Sequence, residues 1–114
     1  MKKILLATAL AAGAGQVPAL TGNELLEHVR SSDRLQAGQE RGGDAVKAGY
    51  STGFIQGAAW AIDELHPRVC LPTGGTVGQH VSVVKQYLEQ NPAQLHHPAH
   101  VLVREALQRA FPCR

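Results

Sequence analysis

The sequence predicts an all-α protein, a small four-helix domain closed by one disulfide between Cys70 and Cys113. Three observations carry this. Apolar residues recur at helical rather than alternating spacing along four stretches. Each stretch is bounded by capping or breaking residues. The only two cysteines bracket the last two stretches, behind a segment that reads as an export signal, and an exported chain meets an oxidising compartment.

The first helix is expected over Thr21–Ser31. Thr21 and Glu24 have capping-box spacing, and Leu25, Leu26 and Val29 supply an apolar face. Residues 32–43 carry Gly38, Gly42 and Gly43 among polar neighbours and read as a mobile loop. Asp44 is the expected N-cap of the second and longest helix, which ends near His66, ahead of Pro67. Its apolar stripe is read as Val46, Tyr50, Phe54, Ala58, Ile62 and Leu65. A turn follows, with Pro72, Gly74 and Gly75. Thr76 with Gln79 caps the third helix, whose stripe is Val77, Val81, Val84 and Leu88; Asn91-Pro92 ends it. Pro98 suits the first turn of the fourth, where its missing donor costs nothing. Val101, Leu102, Leu107, Ala110 and Phe111 form that helix's apolar side, and Pro112 stops it beside Cys113.

The export signal is read as residues 1–19, and the domain as 20–114. Lys2 and Lys3 precede the apolar run Ile4–Ala12. That run is too short to span a bilayer, which needs about 20 apolar residues. Val17 and Ala19 fit the −3 and −1 sites of cleavage; a second site ends at Ala14. Loss of Lys2 and Lys3 brings eleven basic residues down to nine, equal to the nine acidic ones. The basic pI therefore belongs to the signal. No basic patch with interleaved aromatics points to nucleic acid, and no later segment is apolar enough to hold the chain in a membrane. With 4% aromatics, the core must rest on Leu, Val, Ile and Ala.

Three patterns invite a chemical reading. Gly49, Gly53 and Gly57 align at i, i+4, i+8. Each costs roughly 1 kcal/mol against Ala inside a helix. The expected return is close helix packing, either within the chain or across a homodimer. Gly49-Tyr50-Ser51-Thr52-Gly53 matches G-x-S-x-G, but that elbow needs a strand-to-helix turn above a sheet. Here it falls inside a helical pattern, so Ser51 is not expected to be a nucleophile. His96, His97 and His100 lie close together, yet Pro98 interrupts them and no acidic residue sits nearby in sequence. They read as loop histidines rather than a metal site, and no cofactor is implied.

The chain from about residue 22 to 113 resembles the Rap/Tai-type immunity proteins, which protect bacteria from the peptidoglycan amidase effectors of type VI secretion. The resemblance rests on ordered pieces: Gly53-Phe54-Ile55-Gln56-Gly57, then Cys70-Leu71-Pro72. Gln79, Val84, Tyr87 and Leu88 follow, then Pro98-Ala99, Leu107 and Ala110-Phe111-Pro112-Cys113. Family members usually carry a second cysteine pair; Val29 and Ser51 stand at the aligned positions here. The resemblance implies a periplasmic, non-enzymatic protein that binds an amidase effector and blocks its cleft. The expected contact regions are two polar loops, Thr73-Gly74-Gly75-Thr76 and Gln94–His97, the latter including His96. An HdeA-like periplasmic acid-stress chaperone, switched by its histidines, is the alternative.

Overall fold

Thr21 opens the first helix in the way its spacing predicts. Its hydroxyl donates to Glu24 Oε1 at 3.1 Å and accepts from the Glu24 amide at 3.4 Å. The computed structural model describes residues 19–114, so the expected signal segment lies outside the described residues. Among these are four α-helices: α1 (Gly22–Gln36), α2 (Asp44–Leu65), α3 (Val77–Gln90) and α4 (Ala99–Ala110). A single 3-10 turn, Pro92–Gln94, separates the last two. The all-α expectation holds, and Cys70 is bonded to Cys113 with Cα atoms 5.0 Å apart.

α1 runs to Gln36, one and a half turns past the expected end at Ser31. Its last turn lacks an apolar stripe and is held instead by charge. Arg34 donates to both carboxylate oxygens of Asp44, at 2.6 and 2.9 Å, and Lys85 of α3 pairs with Asp33. Gly38 then stops the helix with φ of 71°. Gly38 N–H donates to Leu35 and Gln39 N–H to Arg34, which closes the end as a Schellman motif. The connecting loop is therefore only residues 37–43.

Asp44 is not the cap of α2. Gly43, in the left-handed region, holds that position, and Asp44 is the first helical residue. Its carboxylate is buried and accepts from Arg34 and from the Arg41 amide at 2.8 Å. The Arg34 hydrogen bond, helped by Arg41 and Ser31, holds this carboxyl well below the usual carboxylate range, although burial pushes the other way. A depressed folded-state pKa stabilises above the unfolded value, near 3.8, and that contribution drains away as pH falls below it. Asp44→Asn should thus lower stability at neutral pH and flatten the acid limb. Urea unfolding at pH 7 and pH 3 checks this; an equal loss at both values would contradict it.

The stripe expected on α2 is the main correction. Its buried residues are Asp44, Ala48, Ser51, Ile55, Ala59 and Ile62. Val46 is 76% exposed and Leu65 75% exposed. The cause is geometric. A strict i+4 repeat advances about 40° further round the helix at each step, so four steps from Val46 to Ile62 turn through about 160°. Such a series is a spiral, not a face. Of the expected stripe Ile62 is buried and Phe54 and Ala58 are partly buried against the core, while Ala48, Ser51, Ile55 and Ala59 supply the rest of the inner side.

α1, α3 and α4 meet expectation more closely. Leu25 and Val29 of α1, Ile55 of α2, Val84 and Leu88 of α3, and Leu102, Val103 and Leu107 of α4 form one core. Thr76 caps α3, its hydroxyl accepting from the Gln79 amide at 3.1 Å. Pro98 lies just before α4, as its N-cap, rather than within the first turn. Ala110, expected on the inner face, is exposed, while Ala99 and Ala106 are buried.

Val29 and Ser51 are both buried, on α1 and α2. A Val29→Cys/Ser51→Cys pair should restore a second bridge. Closing a loop of this length is worth about 3 kcal/mol, but the lost valine methyls and the Ser51 hydrogen bond take back part. A net gain of about 1–2 kcal/mol is expected in the oxidised variant only. Two free thiols by mass spectrometry under non-reducing conditions would count against it.

Candidate functional site

The segment between α2 and α3 is restrained at both ends, by the clasp at its start and by the Thr76 cap at its finish. Val69 is buried and bridges to Pro112. Cys70 N–H donates to Phe111 at 2.9 Å, and Cys113 N–H donates to Arg68 at 3.3 Å. With the disulfide, these bonds nail residues 68–70 to the end of α4. The chain then projects as a tight turn. Gly75 N–H donates to Pro72, and Gly74 sits at φ of 84°, the third position of a type II turn, which requires a positive φ. Thr73, Gly74 and Thr76 are exposed.

Sequence reasoning missed what supports this turn. His80, which no motif singled out, is buried beneath it. A Cβ added at Gly75 would lie 3.2 Å from His80 Nε2, so the glycine is what allows the turn to rest on the ring. His80 meets Phe111 edge-on and Gln56 at 3.4 Å, and its Nε2 has no hydrogen-bond partner among the described residues. No spacing rule ties a histidine on α3 to a glycine before that helix, so the sequence carried no signal for it.

The second expected loop is not a free loop. Gln94 belongs to the 3-10 turn, and the carbonyls of Leu95 and His97 accept from the Asn23 and Gly22 amides at 2.9 and 3.0 Å. They cap the start of α1 from outside. Ala99 N–H donates to Leu20, completing the splice. Gln94 and His96 remain exposed and His97 is half-buried, with the two imidazoles 4.2 Å apart.

The two loops are not brought together. One is tied to the C-terminal end of α4 and the other leads into its N-terminal end. A 12-residue helix, about 18 Å long, runs between these two attachment points. Beside the clasp lies an open groove of about 700 Å³ lined by Pro67, Arg68, Glu105, Gln108, Arg109 and Pro112. Tyr87 O–H donates to Glu105 at 2.5 Å, and Arg109 stacks over the Tyr87 ring. Burial pushes the Tyr87 hydroxyl up, so it stays a donor.

Ser51 is buried in the middle of α2, and its hydroxyl donates to the Ala48 carbonyl at 3.0 Å. The G-x-S-x-G match is thus part of a packed helix. Gly49, Gly53 and Gly57 are exposed, and a Cβ at any of them would meet nothing within 4 Å. The expectation that they admit a neighbouring helix of the same chain is therefore corrected: all three face outward. His100 is exposed in the first turn of α4. Among the described residues, no three His, Cys, Asp or Glu are grouped to hold a metal ion, and no helix is long and apolar enough to cross a membrane.

The four-helix domain thus has its loops braced by a disulfide and by backbone splices, with polar turns at both ends of α4. The family model of the Rap1a immunity proteins matches residues 21–113, and the chain belongs to that family. It is accordingly an immunity protein, whose partner is a cognate secreted effector. No curated protein matches the chain.

Within this frame the motif residues mostly build the fold. Cys70 and Cys113 clasp it, Tyr87 links α3 to α4, and Leu88 and Leu107 fill the core.

Proposed function

We propose that the protein is a periplasmic immunity protein that binds a peptidoglycan amidase effector of type VI secretion and blocks its cleft sterically. No residue of its own acts as acid, base or nucleophile. The observation that carries this reading is the Pro72–Gly75 turn. It projects from a base fixed by the disulfide and rests on the buried His80 ring. A pre-ordered projection loses little conformational entropy on binding, which favours insertion into a cleft. The splinted Gln94–His97 segment, at the other end of α4, suits a rim contact of lesser weight.

The test is protection and inhibition by the exported protein against an amidase encoded beside it. Thr73→Arg, exposed and at the tip of the turn, should weaken inhibition tenfold or more, about 1.4 kcal/mol. Gln94→Arg should weaken it less, and Ser51→Ala should leave it intact. A protein that neither binds nor inhibits such an amidase, yet keeps unfolded clients soluble at acidic pH, sinks this reading in favour of the acid-stress chaperone.

A further inference from the structure

The acids and bases of the described chain balance in number but not in place. Around α1 and the start of α2 the charges are matched. Arg34 pairs with Asp44, Lys47 with Glu27, and Lys85 of α3 with Asp33. At the clasp they are not. Among the described residues, Arg68, Arg104 and Arg109 make no ion pair, and Asp63 and Glu64 near the end of α2 reach none of them. Glu105 is the one carboxylate lining the groove beside the disulfide, and it already accepts from the Tyr87 hydroxyl.

Arg68 and Arg109 stand exposed on that open groove of about 700 Å³. Its floor is stiff. Pro67 and Pro112 line it, and the disulfide and the Cys70 and Cys113 amides tie its two sides together. Arg109 is held by its stacking over the Tyr87 ring, 5.2 Å from the ring centre. A guanidinium fixed in this way loses little freedom when it forks onto a carboxylate. Arg104 stands one turn back along α4 from Gln108, about 6 Å away along the axis. With Ala61, Leu65 and His100 it lines a smaller hollow of about 200 Å³, whose apolar wall, Leu65, is largely exposed.

We infer that this groove docks an acidic segment of the effector, with carboxylates on Arg68 and Arg109 and an apolar side chain against Leu65. The inference rests on the proposed immunity function. Charge and position both choose the occupant. Unpaired arginines over an uncharged floor attract carboxylates. Residues 68–70, at the edge of the groove, are also the base from which the Pro72–Gly75 turn projects. A cleft that takes the turn brings its rim down onto the groove. The attraction acts before contact and steers the partner toward the turn. The arginines therefore set the association rate, whereas Leu65 sets the lifetime of the complex.

Stopped-flow association of the exported protein with the amidase encoded beside it tests this, at about 50 and about 300 mM sodium chloride. Association should slow about tenfold or more at the higher salt. Arg68→Ala/Arg109→Ala should associate about tenfold more slowly at low salt and lose most of the salt dependence, with helicity kept. Arg30→Ala, exposed on α1, should stay within about twofold of wild type. Leu65→Ser should shorten the lifetime of the complex about fivefold with association unchanged. If Thr73→Arg weakens inhibition while the arginine pair variant associates normally, the groove is not the docking site and the immunity reading stands. The same holds if Arg30→Ala slows association as much as the pair does. If no such amidase binds at all, both fall. Binding of wild type, but not of the pair variant, to purified peptidoglycan sacculi with effector association unaltered gives the groove to the cell wall and overturns the proposal.

Discussion

The Cys70→Ser/Cys113→Ser variant should lose about 4 kcal/mol of stability, the chain-entropy value for a bridge spanning 43 residues. For a domain of this size that is a large share of the total. The bond does not act alone. It closes a junction where Cys70 N–H already donates to Phe111 and Cys113 N–H to Arg68, around the buried Val69. Without the covalent tie, those bonds must order the end of the chain by themselves. Two consequences should be seen together. The urea midpoint falls, and the Pro72–Gly75 turn loses its fixed base, so inhibition weakens before the helices melt. A loss below about 1 kcal/mol would mean that the reduced chain keeps this junction closed unaided.

Gly22→Val should cost about 3 kcal/mol, at the upper end for overpacking. Gly22 is buried where α1 meets the splice before α4. An added Cβ would run into Leu102 Cδ1, and would stand 2.9 Å from the Leu95 carbonyl oxygen and 3.1 Å from its Cα. Leu102 is itself locked in the core, so it cannot swing clear. The Leu95 backbone must move, and with it the carbonyls that hold the Gly22 and Asn23 amides. For a domain of this length the melting temperature should drop by on the order of 10–20 °C. A shift of only a degree or two would show that the splice relaxes freely. Binding through Gln94 and His96 should fall in step with the loss of order.

Much of the architecture was legible because it is local. The Thr21 and Thr76 caps join residues three apart, and both form as the spacing requires. Pro67 and Asn91-Pro92 stop helices for steric reasons that involve no distant partner. The extension of α1 to Gln36 was not legible, because Asp44 and Lys85, which secure it, lie on other helices. The candidate site divides along the same line. Its glycines and threonines announced a turn at 73–76, while the His80 platform beneath it depends on packing between α3 and the clasp. The segment Gln94–His97 looked like a connector, and its role as an external cap for α1 exists only once residues 75 apart meet.

By itself, the sequence determined the helix count, their order, the Thr21 and Thr76 caps, the one possible disulfide and the family, since each rests on residue type at short spacing or on ordered motifs. Tertiary structure alone decided which side of α2 is inside. α2 has apolar residues all round, so its own pattern cannot choose. The choice falls to its neighbours: Ala48, Ser51, Ile55, Ala59 and Ile62 are the residues turned inward, and Arg34 of α1 draws Asp44 in with them. Gly49, Gly53, Gly57, Tyr50 and Trp60 are left facing water.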